Sequence, residues 1–490
     1  MSISKLAAAA NGGWADLPRD LLETILARLP VPDHLRFPAV CTTWQSATSS
    51  VAGARPRHAA PPLSPWLMPP FNPTSYRLSG DAAKLLDARF LSLAEGITGK
   101  TYTIRQPSPA ISDRVCIGSS PDGWLITADA SSELHLLNPL TGVQLSLPPA
   151  ATLPLVDAIH DASGHVVSYT YNYSLECCCS CFAGGGEALL LSPEMMTIAT
   201  DMLRYEVYEK AILVSPPRQL APSGEWGGYA VVLICNPLSR LVIARAGDTE
   251  WAPLDDKPGR RCWVDAVPAA AFTGAEDDDG ERQVVVYAMD TAGRVEAWDV
   301  GTTSPATNTP SSSSRAVAPP CRCSAPACAA TSAACRKYLV ELAPGGHLLQ
   351  VHRVRDAAHA RYSWEPRPER VEYTTTGIEL FEWTPTAGGG EWVQVDGKGV
   401  LRVRALFLGK NASLCVPVED DGGGWPEVRG NCVYFTDDGP WSDERCHEVA
   451  PDVGVMDLAD GSYRPPRGAA REMVWKWPPP VWVFPSLATN

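Results

Sequence analysis

Two groups of closely spaced cysteines are the part of this sequence that most resembles a chemical site. Their members are Cys177, Cys178, Cys179, Cys181, Cys321, Cys323, Cys328 and Cys335. A structural zinc ion takes paired ligands two to four residues apart, with a second pair further along the chain. Consecutive strand residues face opposite sides, so Cys177, Cys178 and Cys179 cannot all point at one ion. The second group has spacings of two, five and seven, which match no common zinc finger, so we predict no metal site and no cofactor.

Motifs of catalysis are absent from the sequence. It contains no nucleophile elbow, no phosphate-binding loop and no His-Glu pair at helical spacing. The glycine run at 388–390 is followed by Glu391 and Trp392 and lacks the lysine of a phosphate loop, which predicts a hairpin turn. Cys446 and His447 adjoin, but neighbours in sequence rarely form a nucleophile and its base. We therefore predict a protein that is not an enzyme and has no catalytic residue.

The composition is typical of a globular protein, and its net charge favours proteins over nucleic acids as partners. The chain has 490 residues, more than one domain usually contains, of which 45% are hydrophobic and 20% charged. Its 45 prolines and 39 glycines favour many turns and short strands. A formal net charge of −14 is a poor match for a nucleic-acid backbone. Because no run of eighteen apolar residues exists, no membrane span is predicted.

The amino terminus and the cysteine count bear on the cellular compartment. Residues 1–10 lack the long apolar stretch of a signal peptide. The fifteen cysteines are an odd number in a long chain, which favours reduced thiols over a disulfide framework. We therefore expect the protein in the cytoplasm, the nucleus or both.

The segment LPRDLLETILARLPVPDHLRFPAVCTTW, residues 17–44, carries an amphipathic helical pattern. Leucine or isoleucine occurs at positions 17, 21, 22, 25, 26 and 29, which share one face of a helix. Asp16 is placed to cap this helix and Pro18 to occupy its first turn. Pro30 ends it, and two shorter helices are predicted to follow.

A unit of about 40 residues is too small to bury so many apolar side chains by itself. Two explanations are possible for the apolar side chains that this unit cannot bury. Either the helices cap the next domain, or they bind a second protein through an apolar surface. The spacing alone leaves both open.

The order of residues in this segment resembles the F-box motif of plant F-box proteins. The resemblance rests on both Leu-Pro pairs and on the Val-Cys-x-x-Trp ending, while Pro38 departs from the commoner arginine or lysine. It implies binding to a Skp-type adaptor, which links the chain to a cullin scaffold. The residues expected to contact the adaptor are Leu17, Pro18, Leu21, Leu22, Ile25, Leu29, Pro30, Leu35 and Phe37. Those expected to complete the core of the F-box are Val40, Cys41 and Trp44.

Short strands separated by turns make up the rest of the chain. After a predicted linker at 51–65, apolar runs alternate with turn signals such as the NPLTG sequence at 138–142. Related units recur at 122–149, 229–254, 282–300, 337–354, 378–397, 431–438 and 453–465. This recurrence predicts a β-propeller of about seven blades, within a range of six to eight. Tryptophans expected to pack between blades are Trp124, Trp251, Trp298, Trp383, Trp392 and Trp425.

Four segments of this region resemble the KIB-type β-propeller domain found behind many plant F-boxes. They are GSSPDGWLITADASSELHLLNPLTG, VYFTDD, GVMDLADGSYRP and WPPPVWVFP. The predicted fold is α+β by domains, with a three-helix F-box at 14–50 and an all-β propeller at 66–485. A Ser/Pro/Ala-rich stretch at about 301–335 is predicted to be a disordered insertion.

These patterns predict one function and leave an alternative. The chain is expected to be the substrate-recognition subunit of an SCF-type E3 ubiquitin ligase, with the F-box on a Skp-type adaptor and the propeller holding a target protein. The alternative is a propeller scaffold or binding protein outside a ligase, capped by the helices. A propeller that binds small molecules would need a central pocket of converging polar groups, which the sequence does not reveal. No residue pattern identifies the target.

Overall fold

A computed structural model describes the helical segment and the strand-rich region in separate stretches. The described residues are 13–26, 29, 33, 37–47, 65–69, 87–93, 100–104, 107, 110–111, 114–154, 156–173, 194–220, 223–236, 240–255, 261–269, 283–301, 314–321, 335–343, 347–360, 370–386, 389–418, 428–438, 452–464 and 479–486.

Helices are few and short in this part of the chain. The segment near the amino terminus contains a 3-10 turn at Trp14–Asp16, helix α1 at Arg19–Leu26, a second 3-10 turn at Phe37–Ala39 and helical residues 42–47. Among the strands lie two single-turn helices, α2 (Leu203–Glu206) and α3 (Gly397–Val400). No helix in the described stretches combines the length and the apolar character that crossing a bilayer requires.

Thirty strands lie in the described residues. The first ten are β1 (Trp66–Met68), β2 (Ala88–Ser92), β3 (Lys100–Ile104), β4 (Val115–Ser119), β5 (Leu125–Ala128), β6 (Leu134–Leu137), β7 (Gln144–Ser146), β8 (Val156–His160), β9 (Val166–Tyr173) and β10 (Glu194–Ala199). The next ten are β11 (Tyr208–Ser215), β12 (Arg218–Gln219), β13 (Trp226–Gly227), β14 (Ala230–Cys235), β15 (Arg240–Arg245), β16 (Ala252–Pro253), β17 (Trp263–Pro268), β18 (Gln283–Asp290), β19 (Val295–Gly301) and β20 (Ser314–Ala318). The last ten are β21 (Cys335–Ala343), β22 (His347–Ala360), β23 (Arg370–Thr384), β24 (Glu391–Val395), β25 (Arg404–Leu408), β26 (Leu414–Pro417), β27 (Cys432–Phe435), β28 (Gly454–Asp457), β29 (Tyr463–Arg464) and β30 (Val481–Val483).

Six sheets of these strands surround a common axis as the blades of a β-propeller. Blade 2 contains β4–β7, blade 3 β11 and β14–β16, blade 4 β17–β20, blade 5 β21–β24 and blade 6 β25–β29. Blade 1 combines β1–β3 with β30 from the other end of the domain. The innermost strands β4, β11, β17, β21 and β26 contact one another in that order, and β30 contacts β4.

The ring closes where the first and last strands of the propeller pair in blade 1. β30 runs antiparallel to β1, with Leu67 opposite Trp482. Trp482 is fully buried, and its ring centroid lies 5.3 Å from that of Phe407 in blade 6. Blades 1 and 6 therefore share an apolar core, which closes the ring by packing as well as by strand pairing.

Blade 6 departs from a simple antiparallel order. β26 folds back on β25 as the innermost strand, which leaves β25 parallel to β27. The turn between β25 and β26, residues 409–413, is buried, and we call it the axial loop. Its Ala412 N–H donates to the Ser119 carbonyl of blade 2 at 2.9 Å, and its Ser413 hydroxyl donates to Asp265 of blade 4 at 2.8 Å. Neither blade neighbours blade 6, so the axial loop crosses the centre of the propeller.

A three-stranded sheet of β8, β9 and β10 lies outside the ring of blades, and we call it the outer sheet. Its Val156, Tyr169 and Tyr171 are buried in a core shared with blades 2 and 3. One face of the outer sheet is thereby fixed to the propeller.

The predicted propeller and its between-blade tryptophans are confirmed. The six described blades stand at the lower end of the predicted range. Trp251 of blade 3 donates from Nε1 to the Pro148 carbonyl beside blade 2, and Trp392 of blade 5 donates to the Pro319 carbonyl beside blade 4, both at 2.9 Å. Buried in cores that adjacent blades share are Trp124, Trp298 and Trp383. Trp425 lies outside the described residues.

The structure corrects the prediction of a disordered insertion at about 301–335. Residues Ser314–Ala318 form β20, the outer strand of blade 4, with Ser314 opposite Trp298 and Ala318 opposite Val295. The first three residues of this strand are exposed, so its sequence has no apolar alternation from which a strand could be predicted. The strand forms because it pairs with β19. Residues 302–313 and 322–334 lie outside the described residues, as does the predicted linker up to residue 64.

Candidate functional site

The F-box segment folds around a small core of its own. Its fully or nearly fully buried members are Leu22, Leu26, Phe37 and Ala47. Packed against them, half-buried, are Leu17, Ile25, Leu29 and Trp44. Helix α1 begins after Pro18, whose carbonyl accepts the N–H groups of Leu21 and Leu22 at 3.1 Å. Proline fits this place because it needs no hydrogen bond of its own there.

Two neighbouring leucines of α1 differ in their exposure. Leu21 is 47% exposed, whereas Leu22 is fully buried. Successive helical residues are rotated by about 100° around the axis, so a core that takes positions 22 and 26 leaves position 21 at the surface. Pro18 is exposed as well. Pro18 and Leu21 are thus the members of the expected adaptor-binding set that the described structure presents to solvent.

Two other members of that set lie in the core of the F-box, which corrects their expected placement on the surface. Leu22 is enclosed by the helical elements, and the Phe37 ring packs 4.3 Å from the Trp44 ring, centroid to centroid. Both side chains therefore support the module from within and offer no exposed surface to a partner. Of the remaining members, Pro30 and Leu35 lie outside the described residues.

One residue expected in the core is at the surface. Val40 is 56% exposed, whereas Cys41 is half-buried and the Trp44 ring packs against that of Phe37 at an angle of 36°. The Val40 N–H bonds to the Phe37 carbonyl at 3.2 Å, which closes the 3-10 turn at Phe37–Ala39. Because Phe37 takes the inward position of this turn, Val40 at its end points outward.

Trp14 is a candidate site residue that sequence reasoning misses. Its carbonyl accepts a hydrogen bond from Trp44 Nε1 at 2.9 Å, which fixes the turn at Trp14–Asp16 to the core. The Trp14 indole is nevertheless 73% exposed. A large aromatic side chain on a fixed backbone is typical of residues that dominate protein interfaces. The signal in the sequence is a tryptophan three residues before the first Leu-Pro pair.

A cluster of charged side chains fills the propeller where the axial loop crosses it. We call it the axial cluster, and its members are Lys210, Arg336, Arg353, Lys410, Glu209, Asp265, Asp438 and Asp452. Four of them are cations and four are carboxylates. The Arg336 guanidinium joins two parts of the cluster, since it lies 3.6 Å from the Glu209 carboxylate and 3.4 Å from that of Asp438. Arg353 lies 2.6 Å from the Asp452 carboxylate.

Asp265 ties three blades and the axial loop together. Its Oδ1 lies 2.7 Å from Lys210 Nζ of blade 3. Its Oδ2 accepts the Leu339 N–H of blade 5 at 2.9 Å and the Ser413 hydroxyl at 2.8 Å. Asp265 is fully buried, and a buried carboxylate is tolerated only with such partners.

The electrostatics of the axial cluster favour paired charges. Burial opposes the ionisation of Asp438, but Arg336 and Arg353 outweigh it and hold the pKa of this carboxyl below its ordinary range. Burial lowers the pKa of Lys410 to about 8, although Glu209 and Asp438 favour its charged form. Lys410 also donates from Nζ to the Glu209 backbone carbonyl. Each cation of the axial cluster therefore lies against a carboxylate or a backbone carbonyl of another member.

Most cysteines in the described residues are free, and several have thiols of low reactivity. Burial raises the pKa of Cys116 to about 12 and the pKa values of Cys415 and Cys432 to about 11, which keeps these thiols protonated. Cys262 differs from the expected reduced state because it is disulfide-bonded. In the stretches that the structure describes, no three metal-ligating side chains come together. The cysteines at 177–181, 323 and 328 lie outside these stretches.

The described part of the glycine run, residues 389 and 390, lies in the expected hairpin turn, and Gly388 lies outside the described residues. Gly389 and Gly390 have φ angles of 126° and 95° and connect β23 to β24. A Cβ on Gly390 would lie 2.5 Å from the Trp383 ring, so the close approach of this ring requires glycine. Residues 439–451, which include the adjoining Cys446 and His447, lie outside the described residues.

Comparison with protein families identifies both parts of the chain. An F-box domain model matches residues 14–52, and a KIB1-4 beta-propeller model matches residues 90–457. An F-box followed by a β-propeller defines a class of F-box protein with a large carboxyl-terminal domain. The second match covers well over half of the sequence, and the chain belongs to the plant F-box proteins with a KIB1-4 beta-propeller.

Curated relatives match a limited part of the chain. The F-box/kelch-repeat protein KIB1 of Arabidopsis thaliana is 31% identical over 129 residues, which cover 26% of this chain and 30% of KIB1. The F-box protein KIB2 of the same plant is 29% identical over 130 residues, which cover 26% of each chain. Among solved structures, the WD40 domain of SCAP from fission yeast covers 76% of this chain and 84% of its own at 8% identity, with a TM-score of 0.23. A score this low carries no argument.

Proposed function

We propose that this chain is the substrate-recognition subunit of an SCF-type E3 ubiquitin ligase. Its F-box binds a Skp-type adaptor and, through it, a cullin, while its propeller recruits a target protein for ubiquitylation. Membership of an F-box family supports this function. The observation that carries it is the exposure of Leu21 beside the buried Leu22, because an F-box that has filled its own core still presents an apolar side chain to a partner.

The proposed adaptor surface combines exposed and half-buried apolar side chains. Pro18 and Leu21 are exposed, and Trp14 adds the most exposed aromatic side chain of the segment. The half-buried members are Leu17, Ile25 and Leu29. Leu22 and Phe37 act from within by holding α1 and the following turn in place. The adaptor thus gains a preformed apolar surface, which lowers the entropic cost of binding.

The alternative function makes a different structural prediction. A scaffold whose helices only cap the propeller would bury the apolar side chains of the F-box within the same chain. Leu21 and Val40 remain 47% and 56% exposed, and the described core of the F-box contains side chains of the F-box alone. These observations favour a separate partner over an internal cap.

The subunit contributes proximity to the reaction and no chemistry. Tethering a target beside a charged conjugating enzyme replaces a bimolecular encounter with a local one. The axial cluster binds its charges to one another, so we assign target recognition to the surface of the propeller and not to a central ligand pocket. The cytoplasm, the nucleus or both are the proposed locations.

The exposed and buried leucines provide a matched test. Leu21→Ala should weaken binding of the full chain to a Skp-type adaptor by about 2 kcal/mol, or roughly thirtyfold. It should leave hydrogen exchange of residues 14–47 unchanged, since Leu21 lies outside the core. Leu22→Ala should cost about 2–5 kcal/mol of F-box stability and speed exchange across the same residues. Affinity is measured by calorimetry and exchange by mass spectrometry.

Two results would count against the proposal. Undiminished adaptor binding by Leu21→Ala would show that the exposed Leu21 does not contact the adaptor, and the proposal would lose its main observation. An intact chain that binds the adaptor but fails to assemble with a cullin would leave the alternative of a scaffold outside a ligase.

A further inference from the structure

The outer sheet is an ordered part of the fold, and its β10 edge is unpaired within the described residues. Its Tyr169 and Tyr171 are buried against blades 2 and 3. The end of β10 is tied to blade 2, because the Ser132 hydroxyl donates to the Thr200 carbonyl and the Ser132 carbonyl accepts the Tyr208 hydroxyl. β10 is therefore held in a fixed position at the surface.

β10 is longer than the outer strand of any described blade. It pairs with β9 along one side, and no strand in the described residues pairs with its other side. It has six residues, whereas the outer strands of the six blades have two to five. The two-residue edges are β16 and β29, and the three-residue edge is β7.

The side chains of β10 favour pairing with another strand. Charged side chains and prolines inside an edge strand normally prevent pairing with another chain. β10, like β3 and β24, carries a charge only at its first residue. Its Met195 and Met196 project to opposite faces of the sheet and are 57% and 41% exposed. This edge is open to strand addition.

We propose that β10 pairs antiparallel with β10 of a second copy of this chain about a two-fold axis. The sequence of the strand is complementary to itself in the register that places Thr197 on the axis. Met196 then faces the partner's Ile198, and Met195 faces the partner's Ala199. In this register paired residues lie on the same face of the sheet, as the alternation of strand side chains requires. Each pair is apolar or hydroxyl-bearing, and no like charges meet.

Pairing of the two edges joins two outer sheets into one sheet of six described strands. Backbone hydrogen bonds between the two β10 strands pair the N–H and C=O groups that an edge strand leaves without partners. The resulting dimer carries two F-boxes and two propellers, which would let one particle hold a target at two points. The proposal stands independently of the ligase assignment.

Sedimentation of the full chain over about 1–100 µM tests the pairing, since a small interface predicts micromolar affinity. The wild type should shift with concentration from 52.6 kDa to twice that mass. Thr197→Lys should weaken dimerisation by about tenfold or more, because two lysines meet at the axis. Ser163→Lys, in the exposed turn between β8 and β9, adds the same charge to the outer sheet away from the edge and should dimerise like the wild type.

A pair of oppositely charged variants tests whether Thr197→Lys acts at the dimer interface or disrupts the fold of the outer sheet. Thr197→Glu alone should be as monomeric as Thr197→Lys, and an equal mixture of the two should recover the dimer, because opposite charges then meet. A wild type that stays monomeric at the highest concentration overturns the proposal. So does a dimer that Thr197→Lys leaves intact, or a mixture that fails to recover it.

Discussion

Single residues decide whether the F-box can bind a partner. The pattern of leucines predicts an apolar helix face, and the structure divides that face between the core and the surface. Leu22 completes the core and Leu21 remains exposed, although they are neighbours of the same type. A residue's role in this module therefore follows from its angular position on α1 and not from its hydrophobicity.

Trp14 should strengthen adaptor binding without contributing to the core. Trp14→Ala keeps the hydrogen bond from Trp44 Nε1, because the acceptor is the Trp14 backbone carbonyl. We expect adaptor affinity to fall by about 2 kcal/mol and hydrogen exchange of α1 to stay unchanged. Arg19→Ala is the matched control, since Arg19 is an exposed neighbour whose ion pair with Glu23 is solvated. Equal affinity of Trp14→Ala and the wild type would show that the indole lies outside the interface.

The axial loop shows how one element can fix the centre of a propeller. Gly409 has a φ of 146°, and a Cβ there would lie 2.0 Å from Thr436 Oγ1. Only glycine fits this approach, which lets the loop turn into the channel. Its Lys410, Ala412 and Ser413 then bond to blades 3, 2 and 4. The loop thus connects blade 6 to blades that are not its neighbours in the ring.

Lys410 should make the stability of the propeller depend on pH. Facing it are Glu209, Asp438, Arg336 and Lys210. Burial lowers its pKa to about 8 from an ordinary 10.5, so between these values the unfolded chain binds more protons than the folded chain. The wild type should therefore gain stability relative to Lys410→Met as pH rises from about 8 to 10.5, by up to about 3 kcal/mol. Urea unfolding of both proteins at several pH values measures the difference, and a pH-independent difference would contradict it.

The whole molecule depends on joining residues from the two ends of the propeller. β30 lies in blade 1 with β1–β3, and its Trp482 packs on Phe407 of blade 6. All three residues of β30 are fully buried. The last strand therefore completes two blades at once and makes the ring a single cooperative unit.

Removing β30 should open the ring. A chain that ends at residue 478 loses Trp482 and two buried valines, and loss of one such tryptophan alone typically costs about 3–5 kcal/mol. We expect the sharp thermal transition of the intact chain to be lost, as measured by calorimetry. A chain that ends at residue 486 keeps β30 and the Ser486 carbonyl that accepts Asn138 Nδ2 at 3.4 Å, and it should melt like the full chain. Cooperative unfolding of the shorter chain would contradict the role of this closure.

Features that depend on neighbouring residues could be predicted from the sequence. The helical spacing predicts α1, and the NPLTG turn is confirmed by Asn138 Oδ1, which accepts the N–H groups of Leu140 and Thr141. Strand β6 coincides with an apolar run at 134–137. The tryptophan-bearing strands and the glycine hairpin also follow from local pattern, because turns and amphipathic faces are set within a few residues.

Features that join distant residues required the tertiary structure. β20 forms in a segment without apolar alternation because β19 supplies its partner. The axial cluster brings Lys210, Asp265 and Asp438 together from three blades, and no spacing along the chain encodes that contact. By contrast, the sequence by itself determined that an apolar F-box helix precedes a propeller. Only the packing decided that Leu21 is exposed and Leu22 is not, because burial depends on which faces the folded elements cover.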